Sequence, residues 1–259
     1  MRAAVALIIA ALVVTLTAPA AQARAAYAVT VTASRSQVDV GQSFTLSGQV
    51  TPAARGKKVT IQRRYGTGSW RTIGTATLKS SGSYAKTIKA TKAAPTSYRV
   101  LKAKSSSRSA GTSRTVGVGA YRWRHLTDLP SFRGSLVGTS EKSAVMLGVT
   151  YPHSLLVGGS ASAGFETAGL CDDLTTYAGI DQRSTASATV NVRINRLVNP
   201  LDTSAPGIFN QSTTSGAAVL YFRAGTSMSP RPAAVFLEAT TPGNDVVAAF
   251  GTPRVHCMS

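Results

Sequence analysis

Acidic residues are scarce: ten Asp and Glu stand against 28 Lys and Arg in 259 residues, a formal net charge of +18 at pH 7. An excess of that size directs attention to polyanionic partners. Histidine occurs three times, scattered at 125, 153 and 256, and cysteine twice. No His-x-x-Glu-His or other clustered metal-ligand spacing is present, and neither a P-loop, a Rossmann fingerprint nor a Gly-x-Ser-x-Gly elbow occurs. The usual signatures of metallohydrolases, nucleotide enzymes and serine hydrolases are therefore missing. No helical period of useful length appears, which removes helical bundles and coiled coils. After the first residues there is no second long apolar run, so nothing in the sequence ties the chain to a membrane.

What is there begins with an export signal. Met1-Arg2 precedes an apolar run at residues 3–14 that is too short for a span, and Ala21-Gln22-Ala23 is a small-x-small cleavage site. Residues 1–23 read as a signal peptide, with the mature chain starting near Arg24 or, alternatively, after Ala26. The expected location is secreted, extracellular or associated with a cell wall. In an exported chain the even pair Cys171 and Cys257 reads as a disulfide; two buried thiols are the other reading.

The charge divides the chain. Residues 27–118 carry sixteen Lys and Arg against one acid, Asp39, whereas residues 119–259 carry ten against nine. That asymmetry implies two bodies, with the boundary at Gly117–Ala120, where glycine density rises. In the basic half seven short runs alternate with period two, among them Phe44 to Val50, Lys58 to Arg63 and Tyr98 to Leu101, separated by Gly, Pro or Ser clusters. This is the rhythm of a β-sandwich whose core would draw on Trp70, Tyr84 and the Val, Ile and Leu set. The near-neutral half reads as further strands with long loops, such as residues 199–211 and 224–232, stiffened by Pro200, Pro206, Pro230 and Pro232. The expected fold is all-β: two β-sandwiches, at residues 27–118 and 120–259.

The stretch from Phe165 to Asp181 reads as a hairpin, two apolar-alternating runs joined through a turn at Gly169. With its flanks it resembles the NPCBM family, carbohydrate-binding modules attached to certain glycoside hydrolases. The residues that carry the resemblance are Gly148, His153, Ser154, Phe165, Gly169, Leu174 and the tetrad Ala178-Gly179-Ile180-Asp181. An opening phrase at Tyr121–Asp128 and a closing strand at Phe250–Cys257 extend it over residues 120–259. Here Phe250 stands where the family usually has Trp, and Asn195-Arg196 replaces an Asp-Gly turn. The basic half resembles the immunoglobulin-like modules of secreted bacterial proteins, through Gly41, the strand Val59 to Arg63 followed by Trp70, and Tyr98 as a corner-tying tyrosine. The resemblances imply an immunoglobulin-like sandwich followed by a jelly-roll-like carbohydrate-binding module.

The NPCBM resemblance implies a non-catalytic protein binding glycans at a loop-rich edge. Tyr151 and Phe250 would lie under a sugar ring, with His153 and Asp181 as polar partners. Each of these is also a residue type that fills cores and turns. The basic half would contact anionic cell-wall polymers, or its charge would serve solubility alone; a nucleic-acid reader is not expected, given the export signal. No cofactor is expected. Calcium in a loop could draw oxygens from Asp172, Asp173 and Asp181, which match no ordered calcium motif. Asp172 and Asp173, adjacent on a strand, face apart and cannot flank one glycosidic bond; Ser83 and Lys86 likewise point to opposite faces and do not make an acylating pair. Two rivals stand beside this reading: a structural or interaction protein whose sugar site is lost, and a small secreted hydrolase with an unrecognised site.

Overall fold

The structure, a computed structural model, describes residues 24–259. The side chains of residues 133–140 and 226 lie outside the description, as does the expected signal peptide at residues 1–23. Alternation of Val, Ile, Thr and Tyr with polar residues produces strands almost throughout, and no helix among the described residues is long and apolar enough to cross a membrane. The chain is all-β.

The first layer pair uses β1 (Ala28–Val29), β2 (Thr32–Ala33), β3 (Gln37–Asp39), β4 (Ser43–Thr51), β5 (Lys58–Tyr65), β6 (Arg71–Thr77), β7 (Ser83–Lys89), β8 (Ala94–Lys102) and β9 (Gly111–Thr112). β1, β2 and β7 pair with β4 in one sheet; β6, β5 and β8 run side by side in the other. Between them lies one buried cluster that includes Phe44, Leu46, Val50, Val59, Ile61, Tyr84, Tyr98 and Val100. The corner tie expected of Tyr98 is made by Tyr84, whose hydroxyl donates to the Thr30 carbonyl. Gly48 permits it, since a Cβ there would sit 2.1 Å from the Thr30 carbonyl oxygen. Tyr98 instead packs edge-on against Phe44, ring centroids 5.4 Å apart. Trp70, expected in this core, is not a member of the cluster.

The second pair uses β10 (Val116–His125), β11 (Ser131–Met146), β12 (Val149–Glu166), β13 (Cys171–Ile180), β14 (Thr189–Leu197), β15 (Gly207–Thr214), β16 (Leu220–Arg223), β17 (Ala234–Thr240) and β18 (Val247–Cys257). One layer is β15-β14-β17 continued by the end of β12; the other is β16-β13-β18 continued by the start of β12. The long β12 turns from one layer into the other, and Val157, Phe165, Leu174, Val192, Ile194, Leu237 and Phe250 fill the space between. One expectation needs correcting here. Phe165 to Asp181 is not a hairpin: after the turn at Ala168-Gly169 the chain crosses layers, so β12 pairs with β17 whereas β13 pairs with β18. The hairpin lies earlier, at Leu147-Gly148, whose positive φ values of 49° and 78° close β11 onto β12.

The boundary expected at Gly117–Ala120 falls inside β10. Its first half pairs with β8 and its second half with β18, so one unbroken strand serves both sandwiches. His256 is a tie across the junction. Its Nε2 lies 2.6 Å from Asp39 Oδ1 and its Nδ1 2.8 Å from Asp172 Oδ1, with the ring stacked on Tyr121.

Candidate functional site

The four residues placed at a sugar site do not come together. Phe250 is 0% exposed. It faces the core between Leu155 on β12 and Ala178 on β13, its cross-strand neighbours. A ring without exposure cannot take a ligand face, so its role is packing. Asp181 is 1% exposed, and its carboxylate accepts from the amides of Val145 (2.8 Å) and Arg183 (2.9 Å) and pairs with Arg183 Nε at 2.8 Å. These bonds fasten the loop after β13 to β11 and occupy the oxygens a sugar would need. Nor do Asp172, Asp173 and Asp181 converge as calcium ligands. They are held separately by His256, Arg223 and Arg183, and among the described residues no group of three or more His, Cys, Asp or Glu is placed to hold a metal ion.

His153 is exposed, with φ 52°, and stacks on His125 at a centroid distance of 4.2 Å beside Glu141. His125 Nδ1 is covered and has no hydrogen-bond partner among the described residues. Burial, then the neighbouring His153, holds the His125 pKa below its ordinary value, with Arg254 adding to the depression and Asp128 and Glu141 opposing it. Folding therefore favours the neutral form. Its contribution to stability is fully present above the unfolded pKa of about 6.5 and is lost as pH falls below it. Urea midpoints at pH 7.5 and 5.5 should differ, lower at 5.5, and His125→Gln should shrink that difference; an unchanged gap would assign it to other groups.

Tyr151, the fourth, lands among exposed aromatics. β13 alternates Leu174, Thr176 and Ala178 inward with Thr175 and Tyr177 outward, and β16 places Phe222 inward with Tyr221 outward. Tyr177 and Tyr221 are direct cross-strand partners with ring centroids 5.1 Å apart, 38% and 57% exposed. On the other flank of Tyr177 the partner is Gly251, not Phe250. A Cβ on Gly251 would come within 2.8 Å of Tyr151 Cγ, so the glycine lets the Tyr151 ring settle there, 5.0 Å from Tyr177. The result is a row of three phenols, Tyr221, Tyr177 and Tyr151. None of their hydroxyls has a hydrogen-bond partner among the described residues.

The row is held from both ends. Arg223 donates to Asp173 Oδ2 from Nε at 2.8 Å, while Asp173 Oδ1 accepts from the amides of Leu174 and Gly225, which locks β16 to β13. That bond raises the Arg223 pKa above its ordinary value. At the other end Ser154 donates to the Tyr151 carbonyl (2.7 Å) and Thr252 donates to the Pro152 carbonyl (2.7 Å), anchoring the Tyr151 segment on β18. The bond Cys171–Cys257 joins β13 to β18 at directly opposed positions, as expected from the even pair. Sequence reasoning missed Tyr177 and Tyr221, although the alternation of each strand puts both on the outer face.

No family model matches the chain, and no curated protein matches it, so the NPCBM and immunoglobulin-like resemblances rest on the residues quoted for them. Solved structures of similar outline exist. One comes from work on the promiscuous specificity of carbohydrate-binding modules from the β-sandwich superfamily: 10% identity, 91% of this chain and 97% of that one, TM-score 0.29. Another is the N-terminal tandem of CBM22 domains of Paenibacillus barcinonensis Xyn10C: 12% identity, 88% and 90% coverage, TM-score 0.30. At such scores the likeness says nothing about the site.

Proposed function

We propose that this protein is a secreted, non-catalytic glycan-binding protein, and that the row Tyr221, Tyr177, Tyr151 is where it holds sugar. The observation that carries the reading is the row itself: three adjacent rings on an outer sheet face, two of them well exposed, with free hydroxyls. The apolar C–H face of a pyranose packs against such rings, and phenol hydroxyls supply directional hydrogen bonds at their edges. Cross-strand aromatic pairs also stabilise sheets by themselves, by roughly 0.2–1 kcal/mol each. Sheet stabilisation alone does not require rings this exposed in a line across strands. A non-catalytic role is supported by the adjacent carboxylates Asp172 and Asp173, each committed to its own partner, His256 and Arg223, rather than facing its neighbour across a cleft.

The test is a glycan array followed by titration calorimetry on the strongest hit, where an open face of this kind is expected to give a Kd around millimolar. Tyr177→Ala and Tyr221→Ala should each weaken binding about tenfold or more, and the double variant should abolish it with the melting temperature nearly unchanged. Absence of any glycan binding by the folded protein would favour the structural or interaction reading, which the burial of Phe250 and Asp181 supports. Sugar turnover by the purified chain would overturn the non-catalytic assignment.

A further inference from the structure

Trp70 does not pack in the first sandwich's core, and the register of its sheet shows what it does. Val59 and Ile61 of β5 are fully buried, so Thr60, Gln62 and Arg64 face outward. Gln62 lies opposite Arg99 on β8 and opposite Thr72 on β6. Trp70, just ahead of β6, is half-buried, and two guanidiniums lie against its ring: Arg99 Cζ at 4.3 Å from the centroid and Arg64 Cζ at 4.9 Å. Gln62 Oε1 accepts from Arg99 Nε at 2.9 Å, which fixes the turn of that guanidinium about its stem.

Neither cation has a counter-charge. Asp39 is the sole carboxylate of residues 27–118, and it is taken by His256 at 2.6 Å. Among the described residues no Lys or Arg of this half makes an ion pair. Stacking uses the flat face of a guanidinium; with Arg99 Nε given to Gln62 and Arg64 Nε covered, the terminal N–H groups of both remain to meet the oxygens of a phosphate. Solubility would be served by mobile exposed lysines and needs no guanidinium held on a ring.

We infer that the outer face of β5, β6 and β8, with Arg64 and Arg99 held on Trp70, is a binding site for a phosphate-bearing polymer. The site lies in the other sandwich and does not rest on the glycan reading. Because two guanidiniums already lie against the half-buried Trp70 ring, the ligand is read by its charges rather than by stacking on that ring. A polymer of repeating phosphates without bases fits this surface better than single-stranded nucleic acid, whose affinity comes in large part from base stacking.

The test uses the full exported chain and long-chain inorganic polyphosphate, with binding measured from 50 to 300 mM salt. A pair of variants removes two positive charges in different places: Arg64→Gln with Arg99→Gln on the proposed face, and Lys86→Gln with Lys89→Gln on β7, whose side chains are exposed on the opposite sheet. The first should lose at least tenfold in affinity and flatten the slope of log K against log salt by about 2, one per lost phosphate contact. The second should lose less than threefold. Trp70→Leu keeps both charges, and a loss of about fivefold is expected from guanidiniums no longer held. Thermal melts of all three variants separate lost binding from lost folding. Equal losses from the two charge pairs would overturn the inference in favour of a diffuse field. No binding of polyphosphate at 50 mM salt would also overturn it, as would tighter binding of oligo(dT) of matched charge.

Discussion

Replacing Cys171 and Cys257 together by alanine is expected to remove about 4–5 kcal/mol from the stability of the second sandwich, the chain-entropy value for a closed loop of this size. The two cysteines are separated by 86 residues, and the loop between them contains β13, β14, β15, β16, β17 and most of β18. Without the bond, the unfolded chain regains the freedom of that whole segment. Little is lost in the folded state, because β13 and β18 still pair along most of their length. A loss of this size should lower the melting temperature by roughly 10–20 °C for a body of this length. Urea denaturation of the variant without reductant, compared with wild type with and without dithiothreitol, checks it: the reduced wild type should match the variant. A difference below 1 kcal/mol would mean that native pairing, rather than loop closure, carries the second sandwich. The first sandwich has no cysteine and should show the same denaturant midpoint in all three samples.

Period-two alternation made the strands legible, and the expected boundary at Gly117–Ala120 falls within β10, a single strand that pairs with β8 and with β18. What local sequence does not encode is which strand lies beside which. Ala168-Gly169 has the positive φ values of a tight turn, 49° and 69°, and invites a hairpin reading; yet β17 and β18 claim the flanking strands. Leu147-Gly148 has the same signature and does make the hairpin. Trp70 was expected inside because aromatic residues usually are. Only the pairing of β5 with β8, which sets Gln62 opposite Arg99, shows that its neighbours are cations on the outer face. The tyrosine row has the same origin. Each strand declares its outward residues, but Tyr221 meets Tyr177 through a pairing between strands distant in sequence, and Tyr151 reaches them only because residue 251 has no side chain.

Phe250→Ala should be the most damaging single substitution in the second sandwich, costing about 3–5 kcal/mol, and should leave the tyrosine row untouched. The ring is fully buried in the cluster with Leu155, Leu174, Ala178, Val192 and Leu237, so its loss removes apolar contacts from both layers and leaves a cavity between strands that are paired on both sides. Phe250→Leu, which keeps most of the volume, should cost about 1–1.5 kcal/mol. Phe250→Trp, the residue usual in the family this half resembles, adds bulk to a site with no exposure and should cost roughly 1–3 kcal/mol rather than improve binding. The neighbouring position gives the opposite pattern: Gly251→Ala should disturb glycan binding, since its Cβ would be driven into the Tyr151 ring at 2.8 Å. Denaturant unfolding and calorimetric titration of the same four variants separate the two faces of β18. If Phe250→Ala lost glycan affinity at full stability, the inward assignment of residue 250 would be wrong, and with it the face on which the tyrosine row was placed.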